Sequence, residues 1–169
     1  MNVIFHISVG AGIIASMSHL NMNENKTAKT FAGFIIGTLS HGILDYIPHC
    51  YPINSKIGFL ISLTLIFLTI YFVKKEYKIL ITAILLGCVF PDIIDLSPGI
   101  INSQLNLNLP TFDNVFPWHI HEYSGSIYSE KCRVSNINHI LTIVFSGIIM
   151  LLNRKSVLKI LKTTMHNKV

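Results

Sequence analysis

Charge is scarce in this sequence: Asp, Glu, Lys and Arg make up 12% of its 169 residues, against about 25% in a typical soluble domain. A chain this long is one domain by size, and so few charges cannot cover a soluble surface of that extent. Paired cysteines are lacking too. Cys50, Cys88 and Cys132 form no C-x-x-C pair, so neither a disulfide framework nor a zinc ribbon is indicated by spacing. Cys88 reads as core, and Cys50 and Cys132 are the pair that one face of the fold could bring together. Also missing is a basic stretch before the first apolar run, which removes the usual mark of a cleavable signal peptide. That run is therefore expected to stay in the fold.

What the sequence has in abundance is apolar surface. Hydrophobic residues reach 51% and the mean hydropathy is +0.56, so lipid rather than water is the expected solvent for much of the chain. The formal charge of +5 does not point to nucleic acid. Its lysines and arginines gather at the ends of apolar runs, not on a polar face interleaved with aromatics.

Crossing a bilayer takes about 20 apolar residues, and five segments are candidates. They run over residues 3–20, 30–47, 57–73, 77–96 and 137–152. One long polar region, 97–136, separates the last two. The sequence therefore predicts an all-α, multi-pass transmembrane bundle of about five helices, a single domain over 1–169, with one long extracytoplasmic loop. Basic residues in short loops mark the cytoplasmic side. Ten fall on the side of loops 21–29 and 74–78 and the C-terminal tail, and three (Lys56, Lys131, Arg133) on the other. This bias places the protein in the cytoplasmic membrane, with its N-terminus out and its C-terminus in.

That topology gives the polar residues a common address. His6, His41, Asp45, His49, Asp92, Asp95, His119, His121 and His139 all map to the outer face. His41 and Asp45 are four apart and Asp92 and Asp95 three apart, so each pair shares a helix face. A carboxylate in an apolar span is costly unless paired, and no Lys or Arg lies near these in sequence. A divalent cation would neutralise them, and mixed imidazole and carboxylate donors suit zinc first and manganese second. Blander readings stand beside this one. His41 and Asp45 could satisfy each other, Asp92 could cap a helix after Pro91, and Trp118 with its neighbours could mark the membrane interface. His6 and His139 could each bond a loop carbonyl.

The motifs Phe5-His6-Ile-Ser-Val-Gly10, His41-Gly-Ile-Leu-Asp45, Phe90-Pro91-Asp92-Ile-Ile-Asp95 and Trp118-His119-Ile-His121 resemble those of the bacterial membrane-bound metal-dependent hydrolases. That family includes LexA-regulated inner-membrane hydrolases and is distantly similar to zinc-dependent phospholipase C. The resemblance implies an all-helical membrane fold with a metal centre that hydrolyses a phosphoester or similar bond. His6, His41, Asp45 and Asp92 would be its ligands, with His119 and His121 as further candidates. Asp95 or Glu122 would be the general base, and a membrane lipid or lipid head group the natural substrate. The alternative is a non-catalytic metal-binding or transport-associated membrane protein. Oligomeric state is not readable.

Overall fold

A computed structural model describes residues 1–50, 53–112, 115–119 and 135–161. The described residues are helical, without a β-strand: α1 (Val3–Met17), α2 (Lys26–Tyr46), α3 (Ser55–Phe72), α4 (Lys78–Asp95), α5 (Ser97–Leu105), α6 (Ile137–Leu152) and α7 (Arg154–Ile160). One turn of 3-10 helix, Lys75–Tyr77, leads into α4. The expected helices are present. α4 runs through Pro91, as the 77–96 segment anticipates, and the polar region after it opens with an extra helix, α5, which has a proline in its first turn.

The expectation of five spans is not met. Among the described residues one helix, 75–95, is long and apolar enough to cross a membrane. A second counts only if α6 and α7, bent by 77° at their junction, are taken as one span. The reason is length. At 1.5 Å per residue, α1 with its 15 residues is roughly 22 Å long, short of a bilayer core of about 30 Å. α2 is long enough but carries Lys26, Lys29, Asp45 and several glycines and hydroxyls, which lower its hydropathy.

Helices α2 and α4 form the tightest contact, and glycines are why. A Cβ on Gly37 would lie 2.6 Å from the Ile84 carbonyl oxygen, and one on Gly87 would lie 2.3 Å from that of Phe34. Only bare backbone allows the two helices to approach this closely. α1 also packs against α4, and Ile7, Ile14, Leu80, Ile81, Ile84, Leu85 and Cys88 belong to the buried core there. Cys88 is buried and unpaired, as its place in an apolar run suggests. Cys50 is disulfide-bonded, which spacing did not indicate, because such a bond is set by tertiary approach. Position 132 lies outside the described residues.

The outer faces are apolar as well. α3 exposes Phe59, Leu60, Phe67 and Tyr71, and α6 exposes Ile140, Leu141, Phe145 and Leu151. Hydroxyls in these helices turn inward on their own backbone. Ser62 donates to the Gly58 carbonyl at 2.6 Å, Thr69 to Leu65 at 2.7 Å and Thr142 to Asn138 at 2.8 Å. Each hydroxyl is thereby satisfied without water.

Candidate metal centre

Four donors from three parts of the chain meet at one end of the α2–α4 pair. His41 and Asp45 come from α2, Asp92 from the last turns of α4, and His119 from the segment that returns after α5. One ligand atom from each lies within 4.8 Å of all the others. His41 Nε2 is 3.0 Å from Asp45 Oδ2 and 3.5 Å from Asp92 Oδ1. His119 Nε2 is 3.3 Å from Asp45 Oδ2, 3.4 Å from Asp92 Oδ1 and 3.3 Å from His41 Nε2. Corners this far apart on a regular tetrahedron are about 2.0 Å from its centre, which is the length of a zinc bond to imidazole or carboxylate.

The rear nitrogens of the two imidazoles decide what the front ones offer. His41 Nδ1 is 2.7 Å from the Cys88 carbonyl oxygen. A carbonyl only accepts, so Nδ1 carries the proton and Nε2 presents its lone pair to the cluster. His119 Nδ1 likewise donates to Asp95 Oδ2 at 2.7 Å. Two imidazole lone pairs and two carboxylate oxygens thus face one another with little exposure, and only a positive charge reconciles them. Metal-ligating histidines show this same arrangement, with the far N–H held by a carbonyl or carboxylate. Without a metal the charge is a proton. Burial alone would lower the pKa of His119, but hydrogen bonds to Asp45, Asp92 and Asp95 outweigh it and hold the imidazole at about 10. The donor set therefore fits a divalent ion.

His6 lies beside this group and plays a different part. Its ring stacks on His41 at 3.9 Å. Its Nε2 is 3.0 Å from the Met1 carbonyl oxygen and 3.2 Å from Asp45 Oδ1. Between two acceptors that nitrogen carries the proton, and it grips the oxygen of Asp45 that faces away from the cluster. The Met1 ammonium bonds the same oxygen. As arranged here, His6 orients Asp45 and offers the cluster no lone pair.

Asp95, read from sequence as a candidate base, stands behind His119 with both oxygens engaged. Oδ1 accepts the Val115 N–H at 3.0 Å, and Oδ2 accepts the Phe116 N–H at 3.0 Å besides His119. Asp92 is not a helix cap, since α4 continues past it to Asp95. His49 bonds the Ile47 carbonyl through Nδ1 at 2.7 Å. His139, buried at the start of α6, packs its ring on Phe5 at 4.3 Å; neither histidine belongs to the quartet. His121 and Glu122 lie outside the described residues. The positioning roles of Cys88 and Gly42 were missed in the sequence. The first acts through a backbone carbonyl that no motif reveals. The second acts by lacking a side chain: a Cβ there would meet the Trp118 ring at 2.8 Å. Comparison with family models, curated proteins and solved structures found no match.

Proposed function

We propose that this chain is a membrane-embedded metalloprotein whose His/Asp centre hydrolyses a phosphoester or lipid head group at the outer face of the cytoplasmic membrane. One observation carries the reading: the Nε2 atoms of His41 and His119, their rear N–H groups already committed, converge with Asp45 and Asp92 on one point. The resemblance of the four motifs to membrane-bound metal-dependent hydrolases supports the same chemistry. A divalent ion held there by His41, Asp45, Asp92 and His119, which we take to be zinc, would supply Lewis acidity to polarise a scissile phosphoryl group and acidify water. The residues divide the remaining work. His41, Asp45 and His119 are nearly closed off, whereas 18% of the Asp92 side chain is exposed, so water and substrate approach past Asp92. His6 and Asp95 hold their partners in place from behind.

The membrane reading draws on several features. A water-soluble monomer seldom exposes apolar faces as extensive as those of α3 and α6. A bilayer accommodates short spans such as α1 by thinning locally. Lys75 in the turn before α4 and Lys78 at its start stand at the opposite end of the helix from Asp92, and with Lys26 and Glu76 they line one surface depression. The stretch from residue 78 to residue 92 rises roughly 21 Å, so the lysines and the cluster stand at opposite ends, as a cytoplasmic and an outer face require.

The test is elemental analysis of detergent-purified protein, paired with hydrolysis of a phosphodiester and of phospholipid vesicles. The expected result is one zinc or manganese per chain, with turnover abolished by chelation and by Asp45→Ala. Bound metal without turnover on either substrate would favour a second reading, a non-catalytic metal-binding protein. One observation speaks for that reading: four side-chain donors suffice to fill a tetrahedral shell, as in structural zinc sites. Protein free of stoichiometric metal after zinc loading would refute both.

A further inference from the structure

Three donors of the quartet sit on helices, but His119 comes from a non-helical segment that must be brought to them. We infer that Asp95 and Gly42 are positioning residues that deliver His119 to the centre, one from each ligand-bearing helix; this rests on the metal-binding reading of the cluster. On the α4 side, the Asp95 carboxylate gathers three donors from a five-residue stretch, the N–H groups of Val115 and Phe116 and the ring Nδ1–H of His119. It sits nearly one helical turn beyond Asp92, so the carboxylate that anchors the segment and the one that faces the ion share one rigid element. On the α2 side, Gly42 follows His41 directly, and its bare backbone is the seat of the Trp118 indole. A Cβ there would lie 2.8 to 3.1 Å from three atoms of the ring. Phe116 completes the docking: its ring centre is 5.2 Å from that of Trp118 and 6.0 Å from that of Phe90 on α4. The His119 N–H closes the turn on the Phe116 carbonyl at 3.3 Å.

Neither residue touches the point on which the four donors converge, yet both govern whether its fourth donor is present. Asp95 also fixes the tautomer, because the proton it holds on Nδ1 leaves Nε2 free to ligate. Docking and metal binding are then coupled. The ion draws His119 inward from one side, and the anchored segment holds it there from the other.

Trp118 is the only tryptophan, so its fluorescence reports the docked segment directly. The experiment titrates detergent-purified full-length protein with zinc against a competing chelator, following Trp118 emission, for wild type, Gly42→Ala, Asp95→Asn and the control Gly147→Ala, a position with nothing within 4 Å of an added Cβ. Gly42→Ala removes no hydrogen bond and favours the helix, so it keeps the test decisive if Asp95→Asn fails to fold. Both variants are expected to weaken zinc binding about 10- to 100-fold with unchanged helical circular dichroism. Their Trp118 emission should be red-shifted without zinc and recover at saturating zinc, a response that a merely structural defect would not give. Wild-type affinity and emission in both variants would overturn the positioning inference while leaving the metal reading intact. A wild-type protein that binds no zinc would overturn both.

Discussion

Adding a methyl group at Gly87 tests the link between helix packing and the metal centre. Its Cβ would lie 2.3 Å from the Phe34 carbonyl oxygen, where ordinary contact begins near 3.4 Å. α4 must then retreat from α2 by about 1 Å, since backbone on both sides leaves no flexible side chain to yield. The next residue, Cys88, holds His41 through a carbonyl at 2.7 Å, and the same retreat takes that bond past about 3.5 Å, beyond hydrogen-bond reach. Overpacking costs about 1–3 kcal/mol and a stranded buried donor about 1–3 kcal/mol, while alanine returns about 1 kcal/mol of helix propensity. The net loss for Gly87→Ala is about 1–5 kcal/mol, read as a lower thermal unfolding midpoint in detergent micelles. Zinc affinity should fall tenfold or more, because His41 loses the bond that aims it. Gly147→Ala on α6 makes the same chemical change in open space and should be neutral or slightly stabilising. If Gly87→Ala unfolds at the wild-type temperature and binds zinc as tightly, the close α2–α4 approach does not set the site.

The roles of the two stacked histidines separate cleanly. His41→Ala removes a donor and should abolish stoichiometric zinc, whereas His6→Ala removes only a grip on Asp45 and should weaken binding about tenfold; equal losses in competition titrations would make His6 a ligand. The pH dependence follows from His119. Its folded pKa of about 10 lies above its ordinary value, so its proton stabilises the metal-free protein fully below about pH 6.5. That contribution fades as pH rises through about 10. Zinc bound at this site would replace the proton, so uptake at pH 7 should release protons, seen as a buffer-dependent binding enthalpy, and affinity should fall as pH is lowered. Zinc binding with no proton release would refute the competition.

Much of the candidate centre is legible in the sequence because it obeys helix periodicity. The spacing of His41 and Asp45 puts both on one face whatever α2 packs against, and the lack of a neighbouring cation marks the aspartates as unusual. What periodicity cannot convey is which oxygen or nitrogen faces inward. His6 and His41 are both imidazoles near Asp45, and only the acceptors around them show that one donates a proton while the other offers a lone pair. Asp95 reads as a base for the same reason: a sequence shows a carboxylate but not the backbone N–H groups of Val115 and Phe116 that occupy it. The span count fails for a different cause. An apolar run sets where a helix can lie, but its ends depend on turns such as that after Met17, which leaves α1 at 15 residues.

Hydrolysis and mere retention of an ion make opposite demands on four donors, and the structure singles out the one that can yield. His41 is held from behind by the Cys88 carbonyl and His119 by Asp95. Asp45 is gripped at its far oxygen by His6 and the Met1 ammonium. Asp92 touches the cluster through Oδ1, and among the described residues no partner holds its other oxygen. It is also the most exposed of the four. A substrate phosphoryl oxygen entering the shell would therefore displace Asp92 while the other three stay fixed, giving the three-ligand, open-position geometry of catalytic zinc. Asp92→Ala should then bind zinc about 10- to 100-fold more weakly yet turn over a phosphodiester when zinc is saturating, while Asp45→Ala and His41→Ala do neither. Loss of zinc from Asp92→Ala as complete as that from Asp45→Ala would show a closed, four-ligand shell, and with it a site built to hold a metal without using it.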